Sequence, residues 1–387
     1  MSLSSPFAPA VVVMAYNRPR TLQRLLNSLA QAVYPPGVPL IISIDRSDNT
    51  QVLEVAQQFD WQYGPKEIIA HENNLGLRQH ALACGDLTER YEYVIFLEDD
   101  LLVAPSYYAF AQQAVTQYAE QPDIAGVSLY TFGYYEQAAM PFVPLIDNSD
   151  VFFLQYPASW GSVLFRRAWQ GFRRWFNEGQ RILPNDRLPV GVKKFWSEQS
   201  WVKYYLKYMV TKGLYYVYPR VSYSTTFSDA GAHHTESNPK YQVPLQLARS
   251  QIAPQWMAFS ESYCVYDAFF EVLPDRLNRL NDKLVPYNYI VDLNATKEPH
   301  LYAENYVLTT QLVRKSELSY AYQLRPAAMN VIRQLPGDGI YLAYKDQIVS
   351  GSTSSNTVHY HAYLTSTQLG QLLRRKLRTR VRSLLQM

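Results

Sequence analysis

The chain has 387 residues, 48% hydrophobic and 18% charged, a globular composition long enough for two domains or for one domain with a sizeable extension. Its formal charge of +3 resides in a tail: Ser366–Met387 carry Arg374, Arg375, Lys376, Arg378, Arg380 and Arg382 with no acidic residue, which argues against a general nucleic-acid binder with widely spread basic surface. Cys84 and Cys264 are the only cysteines, which excludes a disulfide scaffold and a cysteine-built zinc site and fits a reducing compartment.

The N-terminal "MSLSSPFAPA" has no basic stretch followed by an apolar one, and no segment approaches the roughly 18–20 apolar residues of a membrane span, so a cytoplasmic location is expected. "AVVVMAY" (10–16) then predicts a buried strand. In the "NRPRTLQRLLNSL" that follows, Leu22, Leu25, Leu26 and Leu29 recur at helical spacing, with Asn17 as cap and Pro19 in the first turn. "PLIISID" (39–45) and "EIIAH" (67–71) predict two more strands, "RQHALACGDLTERY" a helix, and "EYVIFL" (92–97) a fourth strand. Buried strands separated by helices indicate an α/β domain with a doubly wound, mostly parallel sheet.

Ligands bind such sheets beyond the carboxyl ends of the strands. Three of these ends are polar: Asn17 and Arg18; Asp45, Arg46 and Asp48; and Glu98, Asp99 and Asp100. Adjacent carboxylates repel one another at the edge of a core unless water or a cation neutralises them. A hard dication such as Mg2+ or Mn2+ takes one or two protein carboxylates together with phosphate oxygens. The bland alternative is a solvated turn whose acidic residues favour a following helix. No glycine-rich dinucleotide fingerprint follows the first strand, and no P-loop occurs anywhere.

With these pieces in order, the chain resembles nucleotide-sugar glycosyltransferases of the GT-A fold. Within that class it is similar to metal-dependent, inverting N-acetylglucosaminyltransferases acting on protein-linked glycans and to bacterial polysaccharide glycosyltransferases. "VVVMAYNRPRTLQRLL" resembles the opening strand and helix, "ISIDRSD" the second strand, and "YVIFLEDDLLVAPSYYAF" the segment carrying the E-D-D motif. The resemblance implies that Arg18 contacts the nucleotide, Asp45 the uracil, Glu98 and Asp99 the sugar and ribose, and that Asp100 binds the metal. "SWGSVLFRRAW" resembles the donor-sugar pocket, which brings in Trp160 and Gly161. "FWSEQSW" resembles the stretch holding the catalytic base, placed at Glu198, although the motif here has an extra residue and Glu where the family has Asp. A histidine that the family uses near the uracil is replaced here around Leu77, with Arg78 and His80 close by, and Arg78 is assigned to the nucleotide.

The resemblance implies an inverting transfer from a nucleotide-diphosphate sugar, with GlcNAc and UDP as the expected sugar and nucleotide, to a glycan or glycolipid, with Mn2+ or Mg2+ as cofactor. Rivals are a retaining transferase with the same metal–diphosphate, and a catalytically silent sugar-binding protein. The plain reading of Glu198 is an exposed residue at a helix start capped by Ser197. "SDAGAHHT" (228–235) suggests a loop over the donor, with His233 or His234 as a further metal or phosphate ligand or as ordinary surface residues.

The expected domains are 1–238 as the transferase, 239–365 as an α+β extension of unknown role, and 366–387 as a basic amphipathic helix. Within the extension, "CVYDAFFEVLPDRLNRLND" predicts a helix and "DGIYLAYKDQIVSG" a strand pair turning at Lys345 and Asp346. The tail fits either a membrane-surface element near a lipid-linked acceptor or a terminal helix packed on protein.

Overall fold

A computed structural model describes residues 8–227, 229, 239–249, 253–349 and the isolated positions 351, 354, 355, 365, 367 and 370. The basic residues of the tail, His233 and His234 lie outside the described residues. The chain divides into two compact units: Met1–Leu280 with Thr296–Leu301, and Asn281–Ala295 with Tyr302–Met387.

The first unit opens with β1 (Ala10–Ala15), α1 (Pro19–Ala30), β2 (Leu40–Ile44), α2 (Gln51–Gln58), β3 (Lys66–Ala70), α3 (Gly76–Asp86) and β4 (Tyr93–Glu98). It continues with β5 (Leu101–Val103), α4 (Tyr107–Tyr118), β6 (Ile124–Ser128), the hairpin β7 (Tyr134–Tyr135) and β8 (Met140–Pro141), β9 (Val151–Leu154) and β10 (Ser162–Phe165). After these come α5 (Arg166–Asn177), α6 (Val190–Phe195), α7 (Trp201–Lys212), β11 (Tyr215–Pro219), β12 (Ser224–Thr226), β13 (Val265–Tyr266) and α8 (Pro274–Asn278).

Nine strands form one sheet in the order β13-β9-β11-β6-β10-β4-β1-β2-β3. β1 pairs in parallel with both β2 and β4, and β2 with β3, while β10 runs antiparallel to β4 and β6. Every residue of β1 and β2 is buried, as a sheet covered on both faces requires. α1 turns Leu22, Leu25, Leu26 and Leu29 onto the sheet, all fully buried, each worth about 1.5–3 kcal/mol relative to exposure. Cys84 and Cys264 are buried and unpaired.

The second unit holds a four-stranded sheet in the order β14-β15-β17-β16, from β14 (Tyr289–Asp292), β15 (Tyr306–Thr309), β16 (Leu318–Ala321) and β17 (Gly339–Tyr344), with the short helix α9 (Ala328–Ile332).

Four local expectations are corrected. Asn17 does not cap α1: the boundary residue is Arg18 and no side chain caps it, Pro19 having removed one of the amides that would need an acceptor. Ser197 does not cap α7. Its hydroxyl accepts from the amide of Gln199 at 3.0 Å, closing a turn, and Ser200 is the cap, accepting from Lys203 N at 3.4 Å.

The helix expected over 264–282 is strand β13 followed by the five-residue α8. Val265 and Tyr266 are taken by pairing with β9, and Phe270 has a left-handed φ of 60°, which interrupts any helix. The expected strand pair over 338–351 is the single strand β17, because Lys345–Gln347 form a 3-10 turn and the partners of β17 are β15 and β16.

Candidate active site

Because β4, β1 and β2 lie side by side and parallel, their carboxyl ends bring three polar segments to one edge. Met14 is level with Glu98 and Ala15 with Ile44, and the amide of Asp45 donates to Ala15 O at 2.9 Å. Neighbouring strands are about 4.8 Å apart, so the residues that follow converge on one small area.

Arg18 is paired with two members of the acidic triplet. Its Nη2 contacts Asp99 Oδ1, and its Nη1 donates to Asp100 Oδ2 at 3.3 Å. One guanidinium does not satisfy this cluster: Asp99 Oδ2 and Asp100 Oδ1 are buried and accept no hydrogen bond. Burial pushes Glu98 up to about 8, with the charges of Asp100 and Asp99 adding to the effect. Asp99 is pushed up to about 6, burial outweighing the pull of Arg18.

Backbone pairing fixes the triplet in place. β5, immediately after it, pairs antiparallel with β12 (Thr226 opposite Leu101), and the amide of Phe227 donates to Asp100 O at 3.2 Å. Orphaned carboxylate oxygens in a region short of positive charge are a donor set for a hard dication. Among the described residues, no three Asp, Glu, His or Cys side chains are grouped to hold a metal alone. A cation here would therefore be completed by water and ligand oxygens, as Mg2+ and Mn2+ sites on phosphates commonly are.

Asp45 is buried and works structurally. Its Oδ1 accepts from the amides of Arg46 (2.9 Å) and Leu75 (2.8 Å), and its Oδ2 from Gly76 (3.0 Å), so it supplies the acceptors that α3 lacks within its own sequence. A carboxylate has about four acceptor positions, which leaves room for one more donor. Beneath it, Ser43 Oγ lies 2.8 Å from His80 Nε2 and 3.1 Å from His71 Nε2. Burial lowers His80 to about 4, the nearby His71 acting in the same direction against Asp45.

Arg78, in the first turn of α3, reaches Glu198. Its Nη1 donates to the Glu198 carbonyl at 2.6 Å, and its guanidinium lies over the rings of Tyr204 (5.5 Å) and Phe176 (5.8 Å). The Glu198 side chain is 64% exposed, yet both its oxygens are held: Oε1 accepts from Lys203 Nζ at 2.5 Å and Oε2 from Tyr204 OH at 2.7 Å. The hydrogen bond from Lys203, then that from Tyr204, keep this carboxyl below the usual carboxylate range.

Trp160 and Gly161 sit where β10 begins. Gly161 has φ +97°, and its carbonyl accepts from Leu129 N at 2.9 Å. Trp160 O accepts from Ser224 Oγ at 2.5 Å, which ties this turn to β12 and so to the acidic triplet. The half-buried Trp160 ring packs against Tyr130 (4.9 Å) and Tyr241 (4.8 Å). Two direct groupings emerge: Arg18 with Asp99 and Asp100, and Arg78 with Glu198, with Asp45 at the start of the helix that carries Arg78.

Lys203 and Tyr204 were not singled out from the sequence. The available signal was a lysine in "WVKYYLKYM", a helix otherwise lined with aromatics, where a charge is buried only with partners.

Residues 10–142 match the family described as Glycosyl transferase family 2. The matched region holds Arg18, Asp45, Arg78 and the acidic triplet, while Trp160, Gly161 and Glu198 lie beyond it in the same α/β unit. No curated protein matches the chain.

Similar solved structures include a mannosyltransferase from Pyrobaculum calidifontis in complex with GDP-Man and Mn2+ (14% identity, TM-score 0.36, covering 55% of each chain). A second is GalNAc-T7 with UDP, GalNAc and Mn2+ (13% identity, TM-score 0.39, 55% of this chain and 42% of that one). A third is S. aureus TarS 1–349 with UDP (12% identity, TM-score 0.38, 56% of this chain and 59% of that one). The chain thus spans 42–59% of the length of these structures.

Proposed function

We propose that the protein transfers a sugar from a nucleotide-diphosphate donor, UDP-linked, to a glycan or glycolipid hydroxyl with inversion, using Mn2+ or Mg2+. The observation that carries this reading is the pair of orphaned, buried carboxylate oxygens on Asp99 and Asp100 at the carboxyl end of β4. Asp100 would hold the metal. The bound ion would neutralise charge developing on the leaving diphosphate.

The remaining roles fall to the chain's own groups. Arg18 lies beside Asp99 and Asp100, where it would meet a diphosphate oxygen or orient the two carboxylates. Asp45, with acceptor capacity to spare, would take an N–H of the base, and Arg78 would support the nucleotide side. Glu98 and Asp99 would contact sugar and ribose, and the half-buried Trp160 with Gly161 would border the donor sugar.

Glu198, ionised at neutral pH, would take the acceptor hydroxyl proton while the acceptor oxygen bonds to the anomeric carbon. The anomeric carbon–oxygen bond to the diphosphate breaks, and its electron pair leaves with the diphosphate. A cytoplasmic, membrane-surface location reached through residues 366–387 belongs to the same proposal. Among the described residues no helix is long and apolar enough to cross a membrane.

The test is thermal stabilisation by a panel of UDP- and GDP-sugars, with Mn2+ or with EDTA, on the wild type and on Asp100→Ala. A ligand bound only by the folded state raises its melting temperature. The expected result is a shift from a UDP-sugar that needs the metal and disappears in Asp100→Ala. No shift from any nucleotide sugar in either condition would return the triplet to a solvated turn.

A further inference from the structure

We propose that Lys203 is the positioning residue for the carboxylate of Glu198: a single ammonium closes the end of α6 and holds the side chain that faces the acceptor. The inference rests on the reading of Glu198 as the base and assigns the base its support.

α6 ends at Phe195, and the carbonyls of its last turn lack partners within the helix. The chain then turns through 196–200 into α7, where Ser200 caps the new helix and places Lys203 in its first turn. Lys203 points back under the turn. Its Nζ donates to Lys193 O at 3.2 Å, to Trp196 O at 3.0 Å and to Glu198 Oε1 at 2.5 Å, and the side chain is 1% exposed.

An ammonium has three donors, and here each has an acceptor. Two fix the backbone on which Glu198 is mounted and the third fixes its carboxylate. Tyr204 OH, one residue on, holds the other oxygen, and Arg78 from α3 holds the Glu198 carbonyl.

These three groups are the charged and titratable neighbours that face Glu198: Lys203 and Tyr204 from α7, and Arg78 from α3. Each carboxylate oxygen keeps a further acceptor position, so an incoming hydroxyl still finds a lone pair. An exposed glutamate would otherwise sample many rotamers, and misplacing a reacting group by an ångström costs about a hundredfold in rate. Arginine would not substitute. Its planar fork does not match three acceptors arranged around one point.

The experiment compares wild type with Lys203→Met, Tyr204→Phe and Glu198→Gln. The first readout is the 13C chemical shift of the Glu198 carboxyl against pH in 13C-glutamate-labelled protein, assigned by its loss in Glu198→Gln. The second is Mn2+-dependent release of UDP from UDP-N-acetylglucosamine, with water as the acceptor.

The titration should move to higher pH in both Lys203→Met and Tyr204→Phe, more in the former. Turnover should fall about tenfold or more in Lys203→Met with little change in donor KM, its acidic limb moving up with the carboxyl. Tyr204→Phe leaves the buried ammonium in place and serves if Lys203→Met does not fold.

An unmoved Glu198 titration in the variants that fold overturns the proposal. So does unchanged turnover in Lys203→Met. If Glu198→Gln keeps wild-type turnover while the titration still moves, the base reading fails but the grip of Lys203 on Glu198 stands.

Discussion

His80 shows how a buried residue beneath Asp45 can set acid stability. It is 2% exposed, and burial holds it at about 4 against an ordinary value of 6.5. Between those values the unfolded chain binds a proton that the folded one refuses, so stability present above pH 6.5 is lost as pH falls towards 4. We expect His80→Gln to flatten that part of the profile by about 1–3 kcal/mol, read from urea midpoints at pH 7 and pH 4.5.

The acidic triplet was legible at this same scale, since three charges interrupting "YVIFL" and "LLV" have few physical explanations. Lys203 was not. Its partners are carbonyls ten and seven residues back, reached through a turn that no residue pattern announces.

Among the elements, β1, β2 and β4 could be read to within a residue or two because Val, Ile and Leu runs of strand length have one use in a sheet covered on both faces. β9 and β13 were hidden for the opposite reason. Phe152, Phe153 and Tyr266 suit a strand or a buried helix equally, and only pairing across more than a hundred residues decides.

The β10–β12 junction carries an element-scale prediction. A Cβ on Gly161 would lie 2.8 Å from Ser224 Oγ in a backbone with φ +97°. Gly161→Ala should cost about 1–3 kcal/mol in urea unfolding and weaken the nucleotide-sugar thermal shift, since Ser224 must leave Trp160 O to make room. Retention of full stability would show that this turn relaxes freely.

On the scale of the molecule, the nine-stranded sheet is not complete at residue 238. β13 adds to β9 through Val265 and Tyr266, and Lys297 from the returning segment 296–301 pairs with Asp267 at 2.6 Å, all within the first compact unit. A chain ended after 301 should therefore melt cooperatively, whereas one ended after 238 should melt several degrees lower or aggregate. Equal melting temperatures would show that β13 is dispensable.

The two cysteines mentioned with the core have a use of their own. Cys84 lies on α3, and Cys264 immediately precedes β13, an edge strand of the sheet. Burial pushes both thiols up to about 12, so neither reacts with an alkylating reagent at neutral pH until its surroundings open. Their alkylation rates, followed separately by peptide mass, make two built-in clocks: one reports local opening around α3, the other fraying at β13. A donor that slows the first without slowing the second would reveal where its binding energy is felt.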